Sequence, residues 1–269
     1  MLNYDAIQDW GTSLSDELRG LIPNDLGAIV SDGDPNYIED AMTVVLEVLG
    51  DDRRAVIDKV DRWIEGQTVA AVHGSRLTQE EAASVRVDGL EVLRANARTE
   101  RLRRKLAGHA RWTEVAGKLD SAILTVGAGC RKGRRELAAY ATLSRVGLLR
   151  GFNHFLTHGS EFDQEVAHLL LGDDGLLSLK AHGNPVIFHL ALPGRDAVKA
   201  ANPNGLFKEE MGNLTRQFLR AWSWWLAYPD FRTDTEKVDC GFTFSADVPP
   251  KWIVETEWIL DHDLDRMSI

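Results

Sequence analysis

Apolar residues recur at helical spacing through the first quarter of the chain: Ala41, Val44, Val45, Leu46, Val48 and Leu49, then Val56, Ile57, Val60 and Ile64. This period predicts helices over residues 3–66, broken at Asp34-Pro35 and at Gly50-Asp51-Asp52. At residue 68 the period changes. Residues 68–73 form a short apolar, partly β-branched run that ends on His73 and predicts a strand. A tight turn at Gly74-Ser75 and a helix after Leu77 are expected next. Thr78 is the N-cap, Glu81 closes a capping box three residues later, and Gly89 stops the helix in a left-handed conformation.

Residues 94–119 are rich in Arg, Leu, Ala and Lys and predict a helix, followed by a glycine-bearing basic turn over 127–135. A second strand is expected over 137–144. Helices are expected over 147–156 and 161–171, the latter closed by Gly172-Asp173-Asp174-Gly175. Residues 185–192, bounded by Pro185 and Pro193-Gly194, make the clearest buried strand. Over 213–228, Leu214, Phe218, Ala221, Trp222, Trp225 and Leu226 share one helical face, an aromatic stripe expected in a core. Two last strands, 241–245 and 252–258, flank Val248-Pro249-Pro250. The pattern predicts an α+β protein with a helical N-terminal region over 1–66 and a mixed domain over 67–269, the latter carrying a basic helical insertion near 94–135.

Composition changes this picture little. An apolar fraction of 44% over 269 residues supports a folded core. There is no apolar run of membrane-spanning length and no basic-then-apolar leader at the start, so a cytoplasmic protein is expected. Cys130 and Cys240 lack CxxC spacing, and no HExxH occurs, so no metal is expected; the cysteines read as small buried residues. Charge adds more. The chain carries −10 overall, yet residues 94–150 hold 14 Lys or Arg against 4 Asp or Glu. That stretch is either a solvated helical face or a phosphate-binding one.

The chemistry-bearing candidate is Val72-His73-Gly74-Ser75-Arg76. A strand delivers an imidazole with a directional donor and acceptor, a glycine lets a ligand approach the backbone, and a serine adds a hydroxyl, a set suited to a ribose hydroxyl and a carboxamide. No GxGxxG, GxxxxGK[ST] or GxSxG motif competes with it.

Strand, His73-Gly74-Ser75, helix, Gly89-Leu90 resembles the opening motif of the ADP-ribosyltransferase superfamily, in its poly(ADP-ribose) polymerase-like and diphtheria-toxin-like branches. The resemblance implies a split mixed β-sheet flanked by helices and an enzyme that uses NAD as substrate, releasing nicotinamide and transferring ADP-ribose. It implies that His73 binds the NAD ribose and Gly74 the nicotinamide amide, with Ser75 and Arg76 in support. Tyr140, Thr142 and Ser144 resemble the next core strand, with Phe152 and Phe155 on the helix after it. An aromatic there stacks on nicotinamide, while Tyr140 and Phe155 read equally well as core residues.

Family members also use an acid, near a late strand that precedes a Pro-Pro segment. Val248-Pro249-Pro250-Lys251-Trp252-Ile253 resembles that segment, but Lys251 stands where related sequences often carry an acid. The acids before it are Glu236 and Asp239. Glu161, in His158-Gly159-Ser160-Glu161, is a further candidate, or a first-turn acid that complements its helix dipole. The catalytic set expected is therefore His73 and Tyr140 with Glu161 or Asp239. The resemblance leaves the acceptor open between protein and nucleic acid. It also leaves open an RNA 2'-phosphotransferase-like activity, a non-catalytic NAD- or ADP-ribose-binding relative, and a toxin or antiphage-defence role with an antitoxin or regulatory partner.

Overall fold

The computed structural model of the protein describes residues 1–127, 137–205, 211–235, 238 and 240–267. In chain order its elements begin with four helices, α1 (Ile7–Glu17), α2 (Leu26–Asp32), α3 (Ile38–Leu49) and α4 (Arg53–Glu65). Strand β1 (Thr68–Leu77) and helices α5 (Gln79–Asp88), α6 (Ala95–Leu106), α7 (Trp112–Val115) and α8 (Leu119–Val126) follow. Next come β2 (Ala139–Thr142), α9 (Arg145–Gly151), α10 (His154–His158), α11 (Glu161–Leu171), α12 (Asp173–Ala181) and β3 (Asn184–Pro193). The chain continues through α13 (Gly194–Ala201), α14 (Asn213–Ala227), β4 (Gly241–Phe244), β5 (Ile253–Trp258) and α15 (Asp261–Met267). The strands form one five-stranded sheet in the order β4-β2-β1-β3-β5, with β3 and β5 antiparallel and Phe188 opposite Thr256. The fold is α+β, with a helical N-terminal stretch and helices flanking the sheet. Among the described residues, no helix is long and apolar enough to cross a membrane.

The chain divides into two compact units. The first comprises residues 1–71, 142–147 and 191–242. Its core is aromatic: Phe218 of α14 meets Trp10 at 4.9 Å and Tyr4 at 5.6 Å between ring centroids, both edge-on, an arrangement that suits the ring quadrupoles. Leu214, Phe218, Ala221 and Trp222 are fully buried, so this part of the stripe read from the sequence is core while Trp225 and Leu226 are half-buried, and α1–α4 pack with α13 and α14 in this unit.

The second unit comprises residues 72–141, 148–190 and 243–269 and holds two apolar clusters. In one, Leu102 and Leu106 of α6 pack with Leu119 and Ile123 of α8 and with Phe162 and Val166 of α11. In the other, Val72 of β1 and Ile187 of β3 pack with Leu148, Leu149 and Leu156 of α9 and α10 and with Leu264 of α15.

Several expectations change in the structure: the helix expected over 147–156 is two, α9 and α10, parted at Phe152-Asn153. Strand β1 does not turn at Gly74-Ser75 but runs on to Leu77, because Ser75, Arg76 and Leu77 are buried along it. The long basic helix is broken: α6 ends at Leu106, before the Ala107-Gly108 dipeptide, and the backbone resumes as α7, a 3-10 turn and α8. Gly172 ends α11 as expected, but at φ +65° it also serves as N-cap of α12, so two helices lie one residue apart. The basic turn expected at 127–135 lies, beyond residue 127, outside the described residues, and Cys130 with it.

Candidate functional site

Helix α5 starts as its sequence requires. The Thr78 hydroxyl accepts from the Glu81 amide at 3.2 Å and the Glu81 carboxylate accepts from the Thr78 amide at 3.0 Å, closing a reciprocal capping box. Gly89 ends the helix at φ +95°, where a Cβ would lie 2.1 Å from the Val248 carbonyl oxygen. The next residue shows why the approach is so close: Leu90 and Val248 exchange backbone hydrogen bonds of 3.0 and 2.9 Å. The Gly89-Leu90 step and the Val248-Pro249-Pro250 segment, separated by some 160 residues of chain, are thus held together by one antiparallel bridge.

Beside this junction lies a cavity of about 230 Å³. His73, Gly74 and Ser75 line it from β1, Tyr140 from β2, Phe155 from α10 and Glu161 from the first turn of α11. Six of the residues singled out in the sequence therefore face one space.

His73 is half-buried, and its Nδ1 lies 2.6 Å from the Tyr140 carbonyl oxygen. A carbonyl only accepts, so Nδ1 carries the proton and donates. The remaining nitrogen, Nε2, is then the acceptor of the neutral ring. Burial pulls the imidazole pKa below its ordinary 6.5; the bond to Tyr140 opposes this, and the positive charge of Arg101 adds to the lowering. The ring also stacks on Phe188 of β3, with centroids 6.3 Å apart. His73 is thus fixed by its Nδ1 bond, and burial favours the neutral form in which Nε2 accepts.

Gly74 has an ordinary φ, and its need for glycine is spatial. A Cβ there would lie 2.8 Å from Leu148 Cδ1 and 3.2 Å from Leu156 Cδ2, inside the apolar cluster beneath β1. Ser160 caps α11 by accepting from the Asp163 amide at 3.2 Å, which sets Glu161 at the first helical position, where the helix dipole favours an anion. Glu161 Oε1 lies 3.2 Å from His154 Nε2. The His154 ring packs on Phe155 at 4.1 Å between centroids, so one side chain steadies both the acid and the aromatic wall.

Other nominated residues are engaged elsewhere. Arg76 is buried and makes a two-pronged ion pair with Asp261 at 2.8 and 2.9 Å, which holds the Asp261 carboxyl below its ordinary pKa. Thr142 donates to the Cys240 carbonyl at 3.3 Å. Ser144 donates to Asp5 at 2.6 Å, and Arg145 adds a backbone donor at 2.8 Å, although burial still raises the Asp5 pKa. None of these three nominees lines the cavity. Asp239 and Glu236 lie outside the described residues.

The cavity also has walls that the sequence reading did not nominate. Asp88 and Glu91 flank the Gly89-Leu90 step, and Arg101 enters from α6. Asp88 accepts from Ser84 at 2.8 Å. Arg101 Nε sits 3.9 Å from Glu81 and 3.8 Å from Asp163, beyond hydrogen-bond range. Among the described residues, no group of three or more His, Cys, Asp or Glu is arranged to hold a metal.

Compared with known family models, curated proteins and solved structures, the chain matches none. What the arrangement can do is therefore read from its chemistry: a neutral imidazole acceptor, an aromatic wall, three carboxylates and one guanidinium around a space too small for a whole dinucleotide.

Proposed function

We propose that the protein is an NAD-dependent ADP-ribosyltransferase of the superfamily that its His73-Gly74-Ser75 motif resembles. The observation that carries this reading is the convergence of His73, Gly74, Tyr140, Phe155 and Glu161 on one cavity, from four separate elements of the chain. A volume near 230 Å³ falls below the roughly 300–1,000 Å³ of sites that engulf drug-sized ligands. It suits the nicotinamide-ribose end of NAD, with the adenosine end outside.

In this reading Nε2 of His73 accepts a hydrogen bond from a ribose hydroxyl and the Gly74 backbone meets the carboxamide. The Phe155 ring lies against nicotinamide, and Glu161 faces the anomeric carbon. The bond from C1' to the nicotinamide nitrogen breaks, and its electron pair leaves with neutral nicotinamide. An acceptor oxygen or nitrogen bonds to C1' and gives up its proton to a carboxylate. A fixed negative charge beside the cationic sugar lowers the barrier because it is oriented before the reaction starts.

The test is nicotinamide release from NAD with and without cell extract as a source of acceptors, next to calorimetric titration with NAD. Binding and release that both disappear in His73→Ala support the reading. Binding without release under any condition makes the protein a binding relative, and the absence of both binding and release overturns the reading.

A further inference from the structure

A second cavity of about 240 Å³ borders the first and is lined by the basic helix. Arg94, just before α6, and Arg98, Arg101 and Arg104 along it all contribute, at intervals of three or four residues that put them on one helical face. At 1.5 Å per residue they span about 15 Å. Two glutamates, Glu81 and Glu91, oppose four arginines in this lining, in a chain whose net charge is −10. The local excess is therefore built against the global trend.

The four arginines have different jobs. Arg98 is buried, with its guanidinium 3.4 Å above the Phe162 ring, and belongs to the wall. Arg94 reaches Asp247 at 2.8 Å but is exposed. Arg104 is exposed and makes no ion pair among the described residues. Arg101 lines both cavities, as do Leu77, Ser84, Val85, Glu91 and Leu93. A ligand lying along α6 thus leads directly to the space that His73 faces.

We propose that this groove binds the phosphodiester backbone of a single nucleic-acid strand and presents that strand to the His73 cavity as the acceptor. The acceptor role rests on the proposed ADP-ribosyl transfer; the binding does not. A nucleic-acid strand carries one negative charge per nucleotide at regular intervals, which a row of arginines can follow, and the planar guanidinium matches phosphate oxygens two at a time. An extended peptide bound through its main chain needs an unpaired strand edge, and an acidic peptide read by its side chains alone is separated by the polyglutamate competition below. The lining comes from α5, α6 and residues 91–94, with only Leu77 at the end of the internal strand β1, so it offers no such edge.

The experiment uses the full chain, no NAD, and a fluorescein-labelled 12-nucleotide RNA and its DNA counterpart, with binding followed by anisotropy at rising salt. Arg94→Gln/Arg104→Gln is the informative variant, since both side chains line the groove and neither lines the His73 cavity. Its affinity should fall on the order of tenfold at low salt, and its slope of log affinity against log salt should flatten by about 1.4 for two lost phosphate contacts. Thermal unfolding of the variant establishes that it is folded, and Arg19→Gln/Arg195→Gln, on two exposed side chains of the first unit, controls for the loss of two charges. Equal weakening by Arg19→Gln/Arg195→Gln, an unchanged affinity in Arg94→Gln/Arg104→Gln, or competition by polyglutamate as strong as by unlabelled RNA would each overturn the proposal. Because NAD is absent, failure of nicotinamide release leaves a positive binding result standing, and the reverse also holds.

Discussion

Nδ1 of His73 donates to the carbonyl oxygen of Tyr140 across 2.6 Å, and this one bond between neighbouring strands decides which face of the imidazole a ligand meets. With the proton held on Nδ1, Nε2 can only accept while the ring is neutral. Burial favours that neutral form.

The first prediction concerns that ring. Long-range proton–nitrogen correlation spectra of the protein should show His73 as the Nδ1–H tautomer, titrating below 6.5. A group whose folded pKa is depressed below the unfolded 6.5 binds protons more readily when unfolded. Its favourable contribution is therefore complete above pH 6.5 and is lost as the pH falls toward the folded value. His158 and His182 are shifted the same way by burial, so denaturant midpoints should drop between pH 7 and 5, and less in His73→Gln than in the parent. An Nε2–H tautomer, or a His73 pKa above 6.5, would contradict the geometry.

Glu161, Asp88 and Glu91 are the three carboxylates of the cavity, and substitution tests which of them would act as the acid of the proposed transfer. Glu161→Gln should lower nicotinamide release by about 10²-fold or more while NAD affinity changes little, as expected for a group that acts in the transition state. Asp88→Asn and Glu91→Gln should cost far less. If Glu161 merely complements the α11 dipole, its replacement costs about 0.3–1 kcal/mol of stability and leaves release unchanged.

How much of this was legible in the sequence differs between elements for physical reasons. The capping box at Thr78-Glu81, the buried run of β3 and the aromatic face of α14 are local patterns, and each is present where local spacing puts it. The extension of β1 through Arg76 is not local. It depends on Asp261, 185 residues away, neutralising a buried guanidinium. Helix α13 and helix α15 are short and carry no periodic signal long enough to read. At the site, His73 stood in a motif of its own, whereas Tyr140, Phe155 and Glu161 were nominated through the family resemblance and read equally well as structural residues. Arg101 was not nominated, because one cation in a basic run looks solvated until its helix is packed. Asp88 and Glu91 were equally hidden, as exposed acids on either side of a Gly89-Leu90 step that was read as a helix stop and as the close of the motif.

Gly89 supplies a third prediction, about the junction of the two motifs. Gly89→Ala places a Cβ 2.1 Å from the Val248 oxygen at a φ of +95°, so the Leu90–Val248 bridge must open or the helix end must shift. The cost should be at least about 2 kcal/mol in denaturant unfolding, well above the 0.5 kcal/mol of an ordinary surface change. Gly74→Ala should cost less, because the atoms it meets are the tips of two leucine side chains that can turn aside.

The last prediction concerns the buried charges behind the cavity wall. Lys105 Nζ and Asp163 Oδ2 are 3.0 Å apart and both side chains are almost wholly shielded from solvent. Burial by itself would raise the Asp163 pKa, but the charges of Lys105, Arg101 and Arg98 outweigh it and hold the carboxyl below 3.8. Burial likewise lowers the Lys105 pKa against the pull of Asp163. Removing one partner strands the other, so Lys105→Met should destabilise by about 3–5 kcal/mol, while Lys105→Met/Asp163→Leu should recover a large part of that loss. The pH dependence has a definite sign. A depressed carboxyl contributes stability that is present above its unfolded pKa and is lost as the pH falls through the folded value, so the parent should lose stability below about pH 4 in a step that the double variant lacks. Urea titrations of the three proteins at pH 3, 4 and 7 measure both effects. A double variant no more stable than Lys105→Met would show that Asp163 is needed for more than its partner, and its hold on Arg101 at the edge of the His73 cavity would then be the first place to look.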